Sequence, residues 1–181
     1  YPRFGAVSAE IRSRYVNQIR YHGEGRLRAP KLRSNDLRLV LDNRGSTNIG
    51  GYVMLHDVHL SGTGQYTIQG VHSEHLTIDL REHAVLNMKG DANIERLSIH
   101  GHGQMRFHWV DSPHLRVDLH GNAMAWLAGK VDMLEVNTHD ASEFSGRYLR
   151  ANRTFVKAFN ASTAKINTTK HQHTLASDNG D

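Results

Sequence analysis

The chain contains no cysteine, which removes a disulfide framework and a thiolate metal site from consideration and leaves the redox compartment unread. No apolar run approaches the length of a membrane span. Aromatic residues are 7% and hydrophobic residues 38% of the 181, lean for a chain that must fill a broad globular core. A thin, elongated core needs less. No stretch between residues 19 and 175 keeps a 3.6-residue apolar stripe, so no long amphipathic helix is expected. The chain opens on Tyr1 rather than methionine and shows no signal-peptide pattern, which reads as a processed product or a fragment.

The net charge of +4 is unevenly spread. Residues 1–44 hold ten Lys/Arg against four Asp/Glu, and the remainder twelve against fourteen. The basic amino-terminal end is a solvated surface or a surface drawn to an anionic partner. Nucleic acid is disfavoured, because neither a recognised binding module nor a regular series of stacking aromatics accompanies the charge.

What the chain does have is a repeat. IRYHGEGRLRAPKLRSNDLRL (19–39), VHLSGTGQYTIQGVHSEHLTI (58–78) and LSIHGHGQMRFHWVDSPHLRV (97–117) align without a gap, each 39 residues after the last. Their columns hold Ile19, Val58 and Leu97; Ala29, Ile68 and Phe107; Ser34, Ser73 and Ser112. Within each copy the apolar-x-apolar opening recurs halfway, which places unit starts at 19, 37, 58, 76, 97, 115, 134 and 154. The units are therefore 18–21 residues long. Inside them apolar and polar residues alternate, as in Leu76, Ile78 and Leu80, which is the signature of a strand with one face buried.

Two architectures use short strands in identical units. A β-propeller blade is close to the 39-residue period, but its four strands are not equivalent and would not repeat halfway. A single-stranded parallel β-solenoid, or β-helix, explains the half-period directly. Each unit is then one coil stacked on the last at ~4.8 Å. The expectation is an all-β chain: a cap or partial coil over residues 1–18, with Ile11, Tyr15 and Val16 as anchors, and about eight coils over 19–181, the last ending within a coil. Exposed strand edges at the ends of a solenoid call for caps, so a further segment or a protein partner is expected at the carboxy-terminal end. Gly23 and Gly25, Gly62 and Gly64, and Gly101 and Gly103 are expected to turn the coil corners. The stretch from Leu80 to Asn87 is expected to make a longer corner with less need of glycine.

Stacking turns sequence spacing into spatial columns. On the starts given above, His102, His120 and His139 share a column, with ~5 Å between neighbours, and Asp79, His100, Asp118 and Asn137 share another. A histidine ladder is a candidate site for a transition metal, but a strand-spaced row supplies neither a closed tetrahedral geometry nor a second shell. The solvated-ladder reading is preferred, and no cofactor is expected. His171 and His173 read as ordinary surface. Trp109 reads as core or half-buried beside Phe107 and Val110, with an exposed sugar-stacking platform as the alternative. No catalytic residue stands out: Asp79 and Asp118 have no acid partner in register except His100, and the coils differ too little in length to build a groove.

THDASEFSG (138–146), FNASTAKIN (159–167) and LASDNGD (175–181), with LSGTGQYTIQG (60–70), resemble the once-per-coil turns of the auto-transporter adhesin head, or GIN, domain family of bacterial exported proteins. The resemblance covers roughly residues 37–181. It implies a right-handed parallel β-solenoid, secreted or held in the cell envelope as periplasmic or outer-membrane material, without catalytic residues to carry over. The expected function is a non-enzymatic structural or interaction module of the bacterial cell envelope, a rigid scaffold for protein or surface contacts such as a subunit of a secretion-system or other envelope complex. An adhesin-like head that binds a glycan or host ligand is the alternative function, and a polysaccharide-active enzyme a distant one. The chain departs from the family in being rich in His and Arg where Asp, Ser and Gly are usual.

Overall fold

The computed structural model describes residues 15–177. Over them the chain is all β, with no helix: β1 (Gln18–Gly23), β2 (Leu27–Asn43), β3 (Ser46–Ser61), β4 (Gln65–Leu80), β5 (Val85–Ile99), β6 (Gln104–Leu119), β7 (Met124–Thr138), β8 (Glu143–Phe159) and β9 (Thr163–Ser177). Each pairs with the next in parallel, in chain order, in one nine-stranded sheet. This is a β-solenoid of about eight turns. The cap expected over residues 1–18 falls mostly outside the described residues; of its anchors, Tyr15 is exposed and Val16 packs on the core.

Each strand is long because it bends rather than stops. In β5 the pairing register slips between Met88 and Ala92 and again between Ala92 and Arg96. Those two bends divide the coil into three short faces. On each face alternation sends apolar side chains inward, where they meet their own kind in the coil above and below. Leu39, Val58, Ile78, Leu97, Val117 and Val136 form one such column by direct backbone pairing. Ile49, Ile68, Met88, Phe107 and Leu127 form another. All of these are buried.

The pairing corrects the expected unit starts. Ile19 pairs with Leu39, Leu39 with Val58, Val58 with Ile78, Ile78 with Leu97 and Leu97 with Val117. Coils therefore alternate between 20 and 19 residues, and the starts placed at 37, 76, 115, 134 and 154 lie two residues early. Leu37, Leu76 and Leu115 are buried as well, so the apolar alternation runs through a bend without announcing it.

The connecting turns are the same length in every coil, against the expectation of a longer corner after Leu80. Ile78 to Leu86 and Leu97 to Met105 are both steps of eight residues. From the turn after β3 onward the tip of each turn holds one left-handed residue: Gly62 (φ 86°), Glu82 (58°), Gly101 (81°), Gly121 (79°), Asp140 (62°) and Asn160 (58°). Gly62 and Gly101 thus hold the position that needs positive φ. Gly23, Gly25, Gly64 and Gly103 do not have positive φ; the nearest atom to an added Cβ at Gly103 is a side-chain methyl of Ile99.

The additional residue of the longer coils sits at the bend between the first and second faces. Gln69 pairs with Lys89 and Val71 with Gly90, which leaves Gly70 bulged; His108 pairs with Ala128 and Val110 with Gly129, which leaves Trp109 bulged. The bulge turns Trp109 outward, 72% exposed, rather than into the core where plain alternation from Phe107 would send it. Two buried serines serve the second bend: the amides of Leu55 and Ile94 donate to the hydroxyls of Ser73 and Ser112, both at 2.9 Å. Ser73 and Ser112 share this role in the Ser34, Ser73, Ser112 column, whereas the Ser34 hydroxyl donates to Val16 O.

Among the described residues Tyr66 is the one tyrosine buried completely. Its hydroxyl donates to Ser61 O at 2.6 Å and accepts from the Asn43 amide at 3.0 Å, tying the ends of β2 and β3 to the start of β4. Burial pushes the phenol up to about 12, opposed by the Asn43 hydrogen bond and reinforced by the negative charges of Asp42 and Glu82. The folded state therefore holds this proton more tightly than the unfolded one. The corresponding stability is fully present below pH 10 and is lost between pH 10 and 12, roughly 3 kcal/mol in all. Urea unfolding at pH 9 and pH 11 is expected to show a steeper alkaline loss for the native chain than for Tyr66→Phe; equal losses would remove this account.

Candidate functional site

The third face, after the second bend, is the most regular outward surface. Its inward column is the Leu39-to-Val136 row, so the residues before and after each of those point to solvent. One outward column runs Arg38, Asp57, Thr77, Arg96, Arg116 and Glu135. The next runs His59, Asp79, Ser98, Asp118 and Asn137. The expected Asp79, His100, Asp118, Asn137 column thus forms with Ser98 in place of His100.

Opposite charges are interleaved across these columns. Arg38 Nε lies 3.0 Å from Asp57 Oδ2, His59 Nε2 lies 3.0 Å from Asp57 Oδ1, and His59 Nδ1 lies 3.6 Å from Asp79 Oδ2. Arg81 Nη2 reaches the same Asp79 oxygen at 2.9 Å, and Arg116 Nε reaches Asp118 at 3.0 Å. Asn137 Nδ2 donates to Asp118 Oδ1 at 2.7 Å. The hydrogen bonds to Asp79 and Asp118 hold the Arg81 and Arg116 guanidinium groups above their ordinary range, with the aspartate charge adding to the effect. Ion pairs and hydrogen bonds of this kind hold the carboxylates in fixed places on the face. Arg96, exposed between Thr77 and Arg116, has no carboxylate partner among the described residues.

Beside this face, at the turn, stand the histidines. His120 and His139 stack at 4.6 Å with 4° between planes, as the expected ladder requires. The third ring is His100, at 5.1 Å from His120, and Phe159 continues the row at 4.8 Å from His139. His102 is not in this row. It lies on the far side of the left-handed turn residue, stacked on His83 at 4.6 Å and contacted by Asn122 Nδ2 at 3.1 Å. The two-residue correction in coil register is the reason: His100, not His102, is level with His120. Among the described residues no group of three His, Asp or Glu side chains is placed to hold a metal ion. His171 and His173 lie exposed in β9, with His173 stacked on Phe155 at 5.2 Å.

The site is thus a flat, rigid array of side-chain rows set by backbone pairing, with ion pairs in one zone and stacked rings in the next. Serine, histidine and arginine in such rows bond to one another along the axis. Among the described residues no helix is long and apolar enough to cross a membrane.

No curated protein matches the chain. Residues 76–181, more than half of it, match the family model described as "Putative auto-transporter adhesin, head GIN domain". That segment contains β5 to β9, the corrected histidine row and the Arg116–Asp118 pair. The chain belongs to this family of adhesin head, or GIN, domains.

Proposed function

We propose that the chain is a non-enzymatic, adhesin-like head: a rigid solenoid carried in the cell envelope or outside the cell, which recognises a protein or surface partner with its outward rows. The observation that carries this reading is the third face, where the Arg, Asp and His columns keep one register from Arg38 to Glu135. A surface fixed by backbone pairing on every rung pays little ordering entropy when it docks. Family membership supports the same reading.

At the amino-terminal end Arg20, Arg26, Arg28 and Arg33 have no carboxylate partner among the described residues. They favour an anionic partner there, and their contribution falls with added salt.

Two measurements test the proposal. Beads coated with the purified chain are expected to adhere to cells or to immobilised envelope proteins, and Arg96→Glu/Arg116→Glu is expected to weaken adhesion several-fold without changing the far-ultraviolet spectrum. Fractionation of the producing cell is expected to place the protein in the envelope or the medium. Beads that adhere to nothing, or a protein confined to the cytoplasm, would overturn the adhesin reading; stoichiometric co-purification with a membrane-embedded machine would replace it with that of an assembly subunit.

A further inference from the structure

The bend between the first and second faces alternates between two forms along the axis. In the shorter coils it is closed by Gly51, Gly90 and Gly129, at φ of 128°, 138° and 135°. An added Cβ there would lie 2.0–2.1 Å from a carbonyl oxygen of the preceding coil, at Leu32, Val71 and Val110 respectively. In the longer coils the bend carries the bulged residue, Gly70 at φ 73° and Trp109 at φ 79°. Tyr148, 39 residues after Trp109 and 82% exposed, stands in the next longer coil beside the level of the bulge, on the rung that runs His108, Ala128, Tyr148.

A bulky residue in left-handed backbone carries a free-energy cost that glycine avoids. Gly70 shows that the bend is made without it. The Trp109 ring is turned to solvent rather than into the core, so packing does not offset the cost. Its rung is flanked by Gly90 and Gly129, which keeps the corner bare on either side. The next exposed ring along the corner is Tyr148, two rungs on, ~9.6 Å at ordinary strand spacing.

The unpaired charge around this corner is positive. Its carboxylates are already engaged: Asp91 with His72 at 2.7 Å, Asp111 with Lys130 at 2.9 Å and Glu143 with Lys165 at 2.5 Å. Lys89, Arg106, Arg147 and Arg150 have no carboxylate partner among the described residues. Arg106 lies over the Trp126 ring, 4.5 Å from its centroid, which holds the guanidinium in place with its edge free.

We propose that this corner binds an acidic polysaccharide laid along the solenoid axis. Pyranose rings stack on Trp109 and Tyr148, and their carboxylate or sulfate groups meet Arg106 and Arg147. Two rungs are close to the length of a disaccharide in an extended chain, so alternate sugars meet a ring while the sugar between them passes over the glycine corner. Single-stranded nucleic acid fits less well, because successive bases need successive stacking platforms. The proposal rests on the adhesin-like reading and gives it a ligand class and a site.

Calorimetric titration with alginate hexasaccharide (uronate), dextran sulfate (sulfate), neutral dextran and a thymidine oligonucleotide tests it. Binding to one or both acidic glycans is expected, with a change in tryptophan fluorescence and weaker affinity at high salt. Trp109→Gly is expected to lose at least tenfold in affinity while its melting temperature holds or rises, since Gly70 occupies the same place two coils away. Arg147→Glu is expected to lose a similar factor. No binding to either acidic glycan, binding that Trp109→Gly leaves intact, or tighter binding to dextran or the oligonucleotide would overturn it. Adhesion by a chain that binds neither acidic glycan sinks this site and leaves the adhesin reading standing; glycan binding through Trp109 by a protein confined to the cytoplasm does the reverse.

Discussion

Gly129→Ala is expected to lower stability by about 4 kcal/mol or more, among the larger effects of a single methyl group. At φ 135° the backbone is in a region that side chains with L configuration rarely enter. The new carbon would lie 2.1 Å from Val110 O, 2.6 Å from Val110 N and 2.9 Å from Val110 C. All three are backbone atoms of the coil below, in β6, which pairs with β5 beneath it and β7 above. Neither partner can move without breaking rungs. Gly103→Ala provides the contrast: its nearest contact is the Ile99 methyl at 2.7 Å, a side chain that can rotate, and about 1 kcal/mol is expected. For a chain of this size the first variant is expected to melt ~10 °C or more below the parent and the second within a few degrees. Because a solenoid is stabilised by neighbour interfaces, the defect falls between β6 and β7. Limited proteolysis of Gly129→Ala is expected to open the chain near that interface. Equal melting temperatures for the two variants would show that the corner does not need glycine.

The same corner explains how much of the fold was legible. The 39-residue period is visible because it is two coils, one of 20 residues and one of 19, and the odd residue recurs at one bend as Gly70 and Trp109. Its position within the period is not visible, since Leu37, Leu76 and Leu115 continue the apolar alternation through the second bend. Alternation records which side is buried and is blind to which residues pair. The histidine row inherits that error: His120 and His139 are placed correctly relative to each other, and the third member shifts from His102 to His100. Left-handed turn residues are legible at Gly62 and Gly101. Asp140 and Asn160 tolerate that conformation as short polar residues do, whereas Glu82 carries no such signal and takes it because its coil is pinned above and below. Trp109 is misplaced for the converse reason, since a bulge reverses the inside-outside phase at a residue whose type says core.

Phe107→Ala is expected to cost 3–5 kcal/mol, toward the upper end of that range. The Phe107 ring is fully buried, between Met88 in the coil below and Leu127 in the coil above. In a globular core the neighbours of a deleted ring shift to fill part of the space. Here each neighbour hangs from a strand whose spacing is set by hydrogen bonds on both sides, and the inward rows of the other two faces are held in the same way. The cavity therefore collapses little, and the cost of the void adds to the loss of buried apolar surface. Phe107→Leu keeps most of the volume and is expected to cost less than half as much. Guanidinium denaturation of both variants measures the difference. A loss near 1 kcal/mol for Phe107→Ala would mean that the rungs breathe, and that the rigidity on which recognition by fixed rows depends is absent.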